Sequence, residues 1–89
     1  QDGAAVDKFG KWLKQRLASG DFRLSLHARL RSGERHLTEG DIMACGKTAS
    51  KVTFQPDRET WKVVGKDLDD LRLTVICDVQ DRVVVVTVF

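Results

Sequence analysis

What the 89-residue sequence has little of narrows the reading first. It holds one proline, and its seven glycines are spread along the chain, which argues against a disordered or low-complexity chain. No apolar run approaches the ~18–20 residues that a bilayer span needs; the longest, Val83–Val86, is interrupted by Thr87. The opening residues, QDGAAVDKFGKW, carry charge early and have no apolar core, so nothing in them reads as a secretory signal. There are only two cysteines, Cys45 and Cys77, each among apolar neighbours and not in a CxxC pair. With the two histidines they match no metal-ligand spacing, so neither a metal nor another cofactor is expected. Two buried thiols in a reducing compartment are the simpler reading of the cysteines, and a disulfide between them is the other. The expectation is a cytoplasmic protein without a membrane anchor.

What is there is the composition of one soluble globular domain spanning 1–89, 42% hydrophobic and 31% charged. A chain of this size buries about 60–65% of the surface that its unfolded form exposes, so its stability should be modest. The net charge is only +2, but it is unevenly spread. Lys8–Arg35 holds eight basic residues against Asp21 and Glu34, a balance of +6, whereas the chain from His36 onward sums to −2. A cationic first half draws polyanions or acidic partners, unless it is only a solvated helix face.

Periodicity divides the chain into a helical first half and a strand-rich second half, the pattern of an α+β fold. Val6, Phe9, Leu13 and Leu17 recur at spacings of three and four, which predicts a first helix from about Ala4 to Ala18 with Asp2 as its cap and Gly20 as its stop. Phe22, Leu24 and Leu26 alternate with Arg23 and Ser25 as a short extended piece. Ser25 then caps a second helix of about ten residues, weakened by Gly33. Thr38-Glu39-Gly40-Asp41 opens a third helix with a capping box that has Asp in place of the usual Glu or Gln. Gly46 ends that helix or lets it pack closely. After Ser50 the period becomes two. Val52 and Phe54, Trp61 and Val63, Leu71 to Cys77, and Arg82 to Phe89 read as four strands joined by short turns, the last one buried on both faces. Short connections make neighbouring strands antiparallel. The expected architecture is two or three N-terminal helices packed on a four-stranded, mainly antiparallel sheet.

The stretch SLHARLRSGERHLT carries the chemistry. At about 100° per residue His27 and Arg31 share a helix face, and Arg35 lies within ~80° of His27. Arginines grip phosphate oxygens and a histidine moves a proton, the parts that RNA cleavage through the 2′-hydroxyl needs. His36 does not pair with His27, being about 180° round a continuous helix and ~13 Å along it. The plain alternatives stand beside this. A first-turn histidine is commonly a structural hydrogen-bonder, and Arg29, Arg31 and Arg35 could simply face solvent. Trp12 and Trp61 read as core rather than as platforms for stacking bases.

Ser25-Leu26-His27-Ala28 followed by Arg31, Arg35 and Leu37-Thr38 resembles the signature of the domain-of-unknown-function family numbered 4258. Trp61-Lys62-Val63-Val64-Gly65 resembles its middle strand, and Leu71–Cys77 and Arg82–Phe89 its two closing strands. The likeness covers a core of residues 22–89 and leaves residues 1–20 as a variable N-terminal helix. Ser32 stands where the family usually has Met, and His36 where Gly is common. The resemblance implies a fold similar to RelE/ParE and MqsR-like toxins, and the activity of a toxin-like, metal-independent endoribonuclease of a bacterial toxin–antitoxin system. It implies RNA, free or ribosome-associated, and a cognate antitoxin-like protein as partners. Carried over, Ser25, His27, Arg31 and Arg35 match the polar signature, and Lys62 and Thr87 lie on strands where related folds place polar site residues. The rival reading is a non-catalytic protein-binding module, or a ParE-like inhibitor, on the same fold.

Overall fold

The computed structural model describes the backbone from Asp2 to Phe89 and the side chains from Asp7 onward. The expected cap at Asp2, and Val6 at the head of the first apolar stripe, lie outside the described side chains. The elements run α1 (Asp2–Ala18), β1 (Arg23–Leu24), α2 (Leu26–Glu34), α3 (Glu39–Thr48), β2 (Lys51–Gln55), β3 (Thr60–Lys66), β4 (Arg72–Val79) and β5 (Val83–Val88). The strands form one sheet in the order β1-β5-β4-β3-β2.

Each helix is ended by local chemistry. At the close of α1 the Gly20 N–H reaches Leu17 O and the Asp21 N–H reaches Arg16 O, with Gly20 at φ 80°. This is a Schellman turn, which needs a left-handed residue. The Arg16 guanidinium pairs with Asp21 across it. At the start of α2 the Ala28 N–H donates to Ser25 Oγ at 3.0 Å. At its end the Leu37 N–H bonds Ser32 O at 2.8 Å and the His36 N–H bonds Gly33 O at 3.2 Å. His36 takes the left-handed position there, at φ 56°. The helix therefore continues through Gly33, and His36 lies beyond its end. At the start of α3 both limbs of the capping box form: Asp41 N–H to Thr38 Oγ1 and Thr38 N–H to Asp41 Oδ2.

The fold class expected from the pattern holds, with three helices. The strand count is corrected from four to five and the sheet from mainly antiparallel to mixed. The added strand is the short extended piece at Arg23–Leu24, which pairs parallel with β5, Arg23 opposite Val84 and Leu24 opposite Val85. Two residues show no period, and a partner some sixty positions away leaves no local trace. Strands β2 to β5 form the expected antiparallel meander.

One face of the sheet carries the core. Val52, Val63, Val75 and Cys77 share it through the cross-strand register. Against it lie Leu13 and Leu17 of α1 and Ile42 and Cys45 of α3, all with 0% exposure. The reading of β5 as buried on both faces is corrected too: Val83, Val85 and Val88 are buried, but Val84, Val86 and Thr87 are half-buried. They belong to the other face, which shows Thr53, Lys62, Lys66, Arg72 and Ile76 exposed or half-buried. Among the described residues no helix is long and apolar enough to cross a membrane.

Candidate functional site on helix α2 and the strand beside it

The first turn of α2 is fixed to the sheet by one side chain. Ser25 Oγ accepts the Ala28 N–H and donates to Val86 O at 2.8 Å, while the Ser25 N–H bonds Val85 O at 2.9 Å. A single hydroxyl thus satisfies an orphan helix donor and a carbonyl at the irregular point of β5, where a register shift between Ile76 and Cys77 inserts an extra residue. Bulges of this kind re-aim side chains next to sites.

Ala28 and Ser32 form the buried face of α2. That leaves His27 and Arg31 one turn apart on its flank, with His27 exposed and Arg31 half-buried. Arg31 approaches Glu34 at 3.4 Å, an exposed pair one turn along. Arg35 caps the C-terminus and is exposed. The ring of His27 is therefore open to solvent rather than sealed in the core. On the outer ridge of the helix Leu26 and Leu30 are 73% and 61% exposed.

The secondary candidates lie on the open sheet face. Register sets Lys62 opposite Ile76 and Ile76 opposite Thr87, one row across β3, β4 and β5. Thr87 and Ile76 line a hollow of about 650 Å³ together with Gln55, Arg58, Thr60, Val86 and Phe89. Apolar walls with a few convergent polar groups are the usual make-up of a ligand site. His27, Arg31 and Arg35 are not in its lining; α2 meets it through the Ser25 bond to Val86. Gln55, Arg58, Thr60 and Phe89 were not singled out from the sequence. The pairing of Gln55 with Thr60 and the hairpin between them could have suggested the first three, but nothing local ties them to Thr87.

Several polar groups prove structural. Asp41 is buried at 7% exposure. Burial works to raise its pKa, but hydrogen bonds from the Thr38 N–H, the Leu68 N–H and the Thr38 hydroxyl outweigh it and hold the carboxyl below its ordinary value. The bond from Leu68, 3.0 Å long, ties α3 to the β3–β4 turn. Thr48 does the same at the other end of α3, accepting the Lys66 N–H at 2.8 Å. Both cysteines are free thiols in the core. Burial pushes Cys45 up to about 11, a hydrogen bond with the Gly65 backbone acting against the rise and Asp67 adding to it. Burial and the nearby Cys45 push Cys77 up to about 12. Neither is a nucleophile at neutral pH. Trp12 and Trp61 pack against the core, and Phe9 stacks on Trp61 with ring centroids 4.6 Å apart.

No curated protein and no solved structure matches the chain. A family model does, described as Domain of unknown function (DUF4258), over residues 24–89. That span takes in α2, its Ser25 anchor and the whole of the β2–β5 meander, and leaves α1 outside. By this match the chain belongs to the DUF4258 family.

Proposed function

We propose that the protein is a toxin-like endoribonuclease of the RelE/MqsR type, cleaving RNA through its own 2′-hydroxyl without a metal. The observation that carries the proposal is the Ser25 anchor. It couples the helix bearing His27 and Arg31 to the strand whose Val86 and Thr87 line the hollow. In this reading the RNA strand lies over the open sheet face, where the strands carry Arg23, Lys62, Lys66 and Arg72 against Asp78. Arg31 and Arg35 hold the scissile phosphate, Arg31 leaving Glu34 to do so. His27 takes the 2′-proton as the 2′-oxygen bonds to phosphorus. The bond to the 5′-oxygen breaks, and the imidazolium returns the proton to that oxygen. The products are a 2′,3′-cyclic phosphate and a 5′-hydroxyl, and the histidine ends as it began. Lys62 and Thr87 position the strand, and Ser25 orients the helix.

The purified protein is incubated with RNA, alone and with ribosomes. Cleavage that falls by at least ~10²-fold in His27→Ala, with RNA affinity kept, supports the reading. No cleavage under either condition, at protein concentrations that titrate the RNA, overturns it.

The exposed ridge of Leu26 and Leu30 favours a second reading, a protein-binding module whose partner, antitoxin-like in character, covers α2. Affinity for such a partner would depend on the two leucines and be indifferent to His27→Ala.

A further inference from the structure

Helix α1 lies outside the family match, and it brings a charge pattern of its own. Between α1 and α3 is a hollow of about 300 Å³ lined by Lys11, Lys14, Gln15, Ala18, Gly46 and Lys47. Beside it, between α1 and the start of β2, is a second of about 260 Å³ that shares Lys11 and Lys14 and is closed by Ala49, Ser50 and Val52. The two make one groove along α1. The two helices meet closely at its floor: at Gly46 the α1 backbone comes so near that an added Cβ would lie 2.7 Å from Ala18 N. Lys11 and Lys14 of α1 and Lys47 of α3 therefore flank a tight seam. Lys8, also exposed, extends the row one turn toward the start of α1.

Among the described residues this charge is only lightly offset. The ion pairs among the described residues are Arg16–Asp21, Arg31–Glu34 and Lys66–Asp70, and none involves these lysines. Asp7 is the one carboxylate in the lining. The groove is shallow and offers no large exposed apolar side chain; its apolar lining is Ala18, Ala49, Val52 and the glycines. An amphipathic helix that lies in a membrane surface inserts apolar residues, and this face has none to insert. A cationic groove without them fits a ridge of negative charge instead. Lysine ammonium groups are point charges, suited to phosphates rather than to the bidentate reading of bases.

We infer that the α1–α3 groove is a docking track for the sugar–phosphate backbone of nucleic acid, independent of sequence and separate from the α2 site. It would hold a structured RNA by its backbone through a segment that the family core does not supply.

The test is fluorescence anisotropy of the full chain with a short labelled RNA duplex, with a DNA duplex of the same sequence as a second arm, between ~50 and ~200 mM salt. Lys11 and Lys47 are exposed, so Lys11→Gln with Lys47→Gln leaves packing intact. The double variant should lower the slope of log affinity against log salt by about 2 and weaken binding at least ~10-fold at the low-salt end. Asp7→Asn should tighten binding. Equal effects on the RNA and DNA arms support a backbone reading. Unchanged affinity and slope in the double variant overturn it, as does lysine-dependent binding to phosphatidylserine vesicles in place of the duplex. Loss of cleavage in His27→Ala with duplex binding intact would separate the two sites. An inactive protein whose duplex binding still depends on Lys11 and Lys47 would sink the nuclease reading alone.

Discussion

Replacing Gly46 by alanine sets two effects against each other at one atom. In a helix interior alanine is favoured over glycine by about 1 kcal/mol. The new Cβ, however, would lie 2.7 Å from Ala18 N, 2.7 Å from Leu17 Cβ and 3.0 Å from Lys14 O, where ordinary contact begins at 3.4 Å. Two of these atoms belong to the α1 backbone, so no side chain can swing away, and α1 itself must retreat by about 0.7 Å. Leu13 and Leu17, both with 0% exposure, move with it and lose contact with the core. Overpacking of this kind costs typically ~1–3 kcal/mol, so after the helix gain the net effect is a destabilisation of up to about 2 kcal/mol. Gly33 is the internal control. It too lies within a helix, but an added Cβ there meets nothing within 4 Å, so Gly33→Ala should stabilise by about 0.5–1 kcal/mol. The same substitution should thus act with opposite sign at two positions. Urea unfolding followed by Trp12 and Trp61 fluorescence measures both, as shifts in midpoint with slope unchanged. A Gly46→Ala protein stabilised to the same extent as Gly33→Ala would mean that the α1–α3 seam is loose, and would refute the packing account.

Ser32 Oγ is buried without a hydrogen-bond partner; Ser32→Ala should therefore stabilise by about 1 kcal/mol, read from the same urea curves. His36→Gly relieves the left-handed strain at φ 56° and should raise stability by roughly 1 kcal/mol, with the midpoint moving up. Asp41→Asn removes a carboxylate whose folded pKa is held below its ordinary value. That contribution is whole above the unfolded value and fades as pH falls toward and through the folded one. The variant should therefore be less stable at neutral pH, by about 1–2 kcal/mol, and the gap should narrow below about pH 4. A gap constant with pH would show that the charge plays no part.

Much of the architecture was legible because it is locally written. Ser25 and Thr38 cap the helices they were expected to cap, since an N-cap hydroxyl needs only the next turn for its bond. The four antiparallel strands follow from alternation and short turns. Helix α3 shows where this legibility ends. Its capping box was readable, but Asp41 also binds Leu68, 27 positions on, which no pattern near Asp41 announces. His36 follows the same rule. It is the second histidine of the chain, yet its setting is the end of a Schellman turn, a left-handed position that suits glycine.

The site divides along the same line. Residue type and helical spacing were enough to set His27 and Arg31 on one flank of α2, and neutral cysteines in apolar runs were enough to mark a buried pair. The parallel pairing of β1 with β5, the hollow shared by Gln55, Arg58, Thr87 and Phe89, and the lysines meeting across the α1–α3 seam came only with tertiary structure. Spacing along the chain specifies direction round a helix or across a strand. It does not specify which distant backbone atom stands 3 Å away, because that depends on how separate elements stack to bury their apolar faces.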